Sequence, residues 1–208
     1  MYKVAMLGAV ILFLFTGCAI KEVMPAVKTY NLKINLNIKK FAHSRCDNNV
    51  LKVRSLKLNS LALTDNIYYG IGKYYINSYT QSQWLQRPSY RINYYLIAAL
   101  QKSHIFKAVI PNEVQGDSNL LLEYNIDDFA QYFNQAKTKS YVDVRIRFLL
   151  INMLNNRLIA SKTFDKRLFT ISQNAIGGVQ AFGKATGEVI SKAVVWVDHI
   201  CNINLKKR

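Results

Sequence analysis

The chain has 208 residues, 50% of them hydrophobic, with 28 Lys and Arg against 12 Asp and Glu and a formal net charge of +16 at pH 7. Past the N-terminus no apolar run approaches the roughly 20 residues a helix needs to cross a bilayer, which argues against a membrane-spanning bundle. The basic balance suits anionic lipid headgroups or an acidic partner. The basic residues are scattered, only Lys206-Lys207-Arg208 forming a run, and no recognition motif accompanies them, so nucleic acid is not an expected partner.

Lys3 is followed by an apolar run from Val4 to Phe15 and then by Thr16-Gly17-Cys18. One positive charge, a short apolar run and small residues make a secretory signal. A cysteine directly after the small residues makes it a lipoprotein signal, with Phe15 where that pattern usually has Leu. Residues 1–17 are therefore expected to be removed. Cys18 is expected to carry a covalent lipid, the thiol taking a diacylglycerol and the freed amine a further chain. Two or three chains anchor firmly where one does not. Residues 18–29 read as a lipidated tether and residues 30–208 as one domain, large enough to bury about 70% of its unfolded surface.

Leu32, Ile34, Leu36 and Ile38 alternate with polar residues and predict a half-buried strand, closed by the polar loop 42–49. Leu51-Lys52-Val53-Arg54 resumes the alternation, and a phase shift at Ser55 marks a bulge or a break. Asp65-Asn66 signals a turn, after which Tyr68-Tyr69, Gly70-Ile71-Gly72 and Tyr74, Tyr75, Tyr79 and Trp84 read as an aromatic hairpin. Pro88 starts a helix with Ile92, Leu96, Ala99 and Leu100 on one face, ended near Ser103-His104. Phe106, Val109 and Ile110 form a short strand up to Pro111.

Leu120–Ile126 and Val142–Phe148 alternate cleanly, and Asn155-Asn156 turns the second of these into a hairpin with 158–169. A last helix is predicted from a Ser172 cap to about Val197. Gly183 and Gly187 share one face of it, through close packing on the domain's own sheet or close approach to a ligand or partner. The fold class expected is α+β: a largely antiparallel β-sheet covered on one face by two α-helices.

Cys46 lies in the polar loop and Cys201 just past the expected last helix. In a compartment that permits disulfides they either bridge or stand as two unrelated thiols, and the sequence leaves both open. His43, His104 and His199 are isolated, so neither a metal nor any other cofactor beyond the Cys18 lipid is expected. No nucleophile elbow, zinc-protease motif or phosphate loop is present, and Asp127-Asp128 reads as a strand end with its side chains on opposite faces. No enzyme is expected.

The order of Leu51–Leu61, Ile67-Tyr68-Tyr69, Ser82-Gln83-Trp84 with Pro88, Leu96–Leu100 and Ile105–Val109 resembles the ABC-type transport auxiliary lipoprotein family. Tyr30-x-Leu32, Leu122-x-Tyr124 with Phe129, Phe164 and the Gly/Ala-rich last helix agree in order, so the resemblance spans nearly the whole mature chain. It implies a periplasm-facing, non-catalytic auxiliary subunit of a lipid (phospholipid) transport system. The implied partners are a mammalian-cell-entry domain protein and an ABC permease and ATPase, with phospholipid at hand. Tyr68, Tyr69, Tyr74, Tyr75 and Trp84 are the residues expected to contact partner or lipid, with a core role for Trp84 equally open. Ala19 after Cys18, with no Asp to retain the protein at the inner membrane, points to the outer membrane. The alternative is a structural envelope lipoprotein that tethers layers or activates cell-wall machinery.

Overall fold

A computed structural model describes residues 25–58, 60–72 and 74–204. The signal segment and Cys18 lie outside the described residues. One mixed sheet holds β1 (Lys28–Tyr30), β2 (Val50–Ser55), β3 (Asn66–Ile71), β4 (Tyr75–Trp84), β5 (Ala108–Pro111), β6 (Leu120–Phe133), β7 (Ser140–Asn152) and β8 (Arg157–Phe169). Two helices, α1 (Pro88–Ser103) and α2 (Ala175–Asn204), cover one face. The expected α+β class holds: the long ladders β6–β7, β7–β8 and β3–β4 are antiparallel, while the short pairings of β2 and β3 with β6, β5 with β2 and β1 with β4 are parallel.

The sheet is organised by β6. One edge runs its whole length against β7. The other is shared, β2 taking Leu120–Tyr124 and β3 taking Gln131–Phe133. Between β2 and β3 the chain leaves the ladder for a 3-10 turn at Leu61–Leu63, its first turn capped by Ser60 Oγ accepting from Ala62 N at 3.1 Å. The phase shift read at Ser55 is this break between strands.

Alternation builds the core. Val142, Val144, Ile146, Phe148 and Leu150 of β7 are buried with Leu122, Tyr124, Ile126 and Phe129 of β6. Phe182, Val189, Ile190, Ala193 and Val197 of α2 recur at helical spacing in the same cluster. Each large side chain so buried contributes about 1.5–3 kcal/mol. Pro88 opens α1, and His104 ends it in the left-handed region at φ 59°, its N–H bonding back to Gln101 O. The α2 cap differs from expectation: Asn174 Oδ1, not Ser172, accepts from Gly177 N at 3.0 Å, and the helix starts at Ala175.

Residues 32–38 are not a strand. The chain joins the sheet earlier, at β1, which straddles the end of the stretch read as tether, and then runs along the helices as an extended strap. Leu32, Ile34 and Ile38 are buried, which produces the same period-two pattern as a strand. Arg91 Nε of α1 donates to Leu32 O at 3.4 Å, and Phe41 N donates to Ser103 O at 2.9 Å. The glycine face of α2 meets this strap: a Cβ at Gly183 would collide with the Lys33 carbonyl oxygen, and one at Gly187 with that of Asn35. The close approach is to the chain's own backbone, neither to the sheet nor to a ligand. Past the strap, a disulfide joins Cys46 to Cys201 with Cα atoms 5.6 Å apart. It fastens the strap's far end to the last turns of α2.

The uncovered sheet face is polar. Arg54 pairs with Glu123, Arg147 with Asp127 at 2.7 Å, and Arg167 with Asp143 at 2.7 Å while stacking over Tyr141. A register shift between Ile126 and Asp128 changes the expectation for the acidic pair. With Asp127 as the extra residue, Asp127 and Asp128 both serve this face, one holding Arg147 and the other accepting from Tyr132 Oη at 3.0 Å.

Candidate docking end of the domain

The β3–β4 hairpin projects at one end of the sheet, its turn using Gly72 at φ 64°. Tyr74 is 87% exposed there, and Tyr75 and Ile76 are also exposed. Gly70 has the opposite job: a side chain on it would meet the Tyr132 ring, so the bare backbone lets the hairpin lie flat beside β6.

Behind the tip, on the helix side of the sheet, Tyr69 lies 4.8 Å from the Tyr79 ring and 5.9 Å from that of Phe133. They line a pocket of about 340 Å³ completed by Asn77, Lys137 and Asn174. A neighbouring pocket of about 350 Å³, sharing Tyr79, Thr80 and Asn174, continues to Tyr30, Lys28 and Ile176. Together they form an aromatic shelf with a lysine towards each end.

A buried polar chain holds the shelf in place. Tyr79 Oη donates to Gln131 Oε1 at 3.0 Å, Gln131 Nε2 donates to Ser140 Oγ at 2.9 Å, and Ser140 Oγ lies 2.6 Å from Thr170 Oγ1. The missing side chain of Gly178 leaves room for Gln131. Burial raises the Tyr79 phenol, with Tyr69 adding to the rise, so it stays a protonated donor.

The sequence candidates separate. Tyr69 belongs to the shelf, and Tyr74 and Tyr75 to the exposed tip. Tyr68, one residue from Tyr69, faces the other side of the sheet. Its Oη accepts from Thr64 Oγ1 and Asn66 Nδ2, which lower its pKa in that order. Trp84 as a contact residue is a correction. It is 2% exposed, with its ring 5.7 Å from Phe182 and 6.1 Å from Phe129, because the irregularity between Asn66 and Tyr68 turns it under α2. Tyr79, Phe133 and Gln131 were not among the candidates. Tyr79 was visible as part of the aromatic stretch, but Phe133 and Gln131 become partners only through the β3–β6 pairing.

Among the described residues no three His, Cys, Asp or Glu side chains form a group able to hold a metal, and no helix is long and apolar enough to cross a membrane. His43, His104 and His199 are all exposed.

No family model matches the chain, and no curated protein matches it. Its fold is similar to that of a Xanthomonas campestris protein described under the family name DUF330. That likeness has a TM-score of 0.74 at 15% identity and covers 87% of this chain and 100% of that one. An uncharacterized protein is similar with a TM-score of 0.60 at 12% identity, covering 83% of this chain and 99% of that one. A lipoprotein from Neisseria meningitidis aligns over 73% of this chain and 99% of its own at 12% identity, but its TM-score of 0.39 carries no argument. These findings correct the reading of the chain as an ABC-type transport auxiliary lipoprotein: the similar structures are described as DUF330 and uncharacterized. At these identities the likeness shows the fold alone.

Proposed function

We propose that the protein is an exported lipoprotein, held in the cell envelope by lipid on Cys18, whose domain is a non-catalytic assembly subunit. The observation that carries the reading is the aromatic end of the sheet: the exposed tip at Tyr74 and Tyr75 runs into the shelf of Tyr69, Tyr79 and Phe133. Exposed aromatic surface of this kind marks interaction sites, where rigid rings give contact area at little entropic cost.

The narrower proposal is that the assembly moves phospholipid between the membranes, with a mammalian-cell-entry domain protein and an ABC permease and ATPase as partners. In its support, the shelf combines aromatic walls for an apolar chain with Lys137 and Lys28 for an anionic headgroup. The domain would face the periplasm, with the outer membrane as the proposed anchor site.

The test is purification of the lipoprotein from its native envelope after mild crosslinking, with a Tyr74→Ser/Tyr75→Ser variant in parallel. Recovery of transporter components with the parent protein, and their loss from the variant, supports the reading. Recovery of only wall enzymes or peptidoglycan fragments sinks it and favours the structural envelope alternative.

A further inference from the structure

The far edge of the sheet, across β6 from the hairpin, carries a second surface. Among the described strands, β8 pairs only with β7, leaving the other edge of a 13-residue strand open. Long open edges are templates for a further strand, and proteins usually shorten or cover them. This one is not short, and among the described residues no strand covers it. Instead α2 overhangs it. Ser191, Lys192, Val195, Trp196 and His199 form one stripe of that helix, and with Phe164 and Lys162 of β8 they line a groove of about 540 Å³. Its floor is apolar: Trp196 meets Phe164 edge-on with ring centroids 6.2 Å apart, and Val195 is 55% exposed.

The geometry points to the edge of β8 as a docking site for an extended segment of a partner protein, one whose groove-facing residues are apolar with an acidic residue among them. A strand added to β8 would lie about 4.8 Å beyond it. Every second side chain would then fall on Val195 and Trp196, where the layer under the sheet continues past its last strand. Backbone pairing supplies affinity and the groove supplies selectivity, as in other strand-addition complexes.

Charge selects the occupant. β8 carries Arg157, Lys162, Lys166 and Arg167 against Asp165 alone. Lys166 and Arg167 are engaged by Glu188 and Asp143, whereas Lys162 and Lys192 have no ion pair among the described residues. A second copy would bring the same excess of cations to the same edge, which disfavours it. An acidic residue among those that face the groove gains from Lys162 and Lys192, which line it.

The experiment uses the full chain and a panel of eight-residue peptides in which Val, Ile or Phe alternates with Thr and one of the apolar positions is Glu, beside shuffled peptides of the same composition. Amide hydrogen exchange across residues 157–169 and tryptophan emission are followed, Trp84 being buried and Trp196 the reporter. Alternating peptides are expected to slow exchange along β8 about tenfold and to shift the emission. Val195→Glu is expected to abolish both while thermal unfolding stays unchanged. Absence of protection by every peptide at millimolar concentration overturns the proposal, as does equal protection in Val195→Glu. Protection that grows with protein concentration alone identifies a second copy as the occupant. Protection by phosphatidylglycerol vesicles but not by peptides identifies a lipid surface. Either result overturns the partner strand.

Discussion

The carbonyl oxygen of Lys33 stands where a Cβ on Gly183 would have to be. Glycine inside a helix costs about 1 kcal/mol relative to alanine, so on an exposed face Gly183→Ala would stabilise. Here the opposing atom is backbone and cannot rotate aside. Gly183→Ala, and likewise Gly187→Ala against Asn35, are expected to destabilise by about 1–3 kcal/mol. Thermal unfolding reads the sign directly; an increase in Tm would show that the strap is not seated on α2.

The Cys46–Cys201 bridge closes a loop with a sequence separation of 155 residues. A link that long removes much of the unfolded chain's freedom, and its loss is expected to cost about 2–5 kcal/mol. Denaturant unfolding of the Cys46→Ser/Cys201→Ser variant against the parent measures it. Equal midpoints would mean that the two thiols are unlinked in solution.

The division of the aromatic residues gives a paired prediction. Trp84→Ala empties a core position between Phe129 and Phe182 and is expected to cost about 3–5 kcal/mol. Tyr74→Ser changes an exposed tip and is expected to leave Tm unchanged while weakening association with envelope partners. Similar losses of Tm in both would contradict the assignment of one to core and the other to surface.

Asp128 and its neighbour Asp127 respond to pH in opposite senses. Burial raises the Asp128 carboxyl against the hydrogen bond from Tyr132, and Asp143 adds to the rise. The folded state therefore holds this proton more tightly than the unfolded chain. The associated stability is present below the ordinary carboxylate value and is lost as pH climbs through the raised one. Asp128→Asn keeps an acceptor for Tyr132 and is expected to raise Tm at neutral pH and flatten its decline from mild acid. At Asp127 burial also pushes upward, but the hydrogen bonds from Arg147 and Asn125 outweigh it and the carboxyl is lowered. Its contribution is present above the ordinary value and fades in acid. Because Arg147 is exposed, Arg147→Ala is expected to change Tm little. Thermal scans across the acid range distinguish the two carboxylates.

Most of the element order was legible because period and punctuation agreed: Pro88 and His104 bound α1, and Asn155-Asn156 turns β7 into β8. The strap was not, because an extended segment buried between helices alternates just as an extended segment in a sheet does. Its distinguishing sign is Gly183 and Gly187, four residues apart and far along the chain. The docking end was half legible. Exposed Tyr74 and Tyr75 can be read from a turn, but Trp84 is core because of a pairing irregularity that no local pattern announces. Phe133 and Gln131 join Tyr69 only through a parallel pairing between strands about 60 residues apart in sequence, beyond any window of periodicity.

Seating the strap on α2 and bolting it at Cys46 also determines how the domain bears load. A pull on the N-terminal end, as from a lipid held in a bilayer, first peels β1 from Ser82–Trp84 and then lifts residues 31–41 off the glycine face. The travel is limited: residues 25–45 can yield about 70 Å at full extension. At that length the force passes through the disulfide into α2 and bypasses the central ladders. The N-terminal segment thus acts as a pay-out line with a hard stop, lengthening under load while the sheet stays folded.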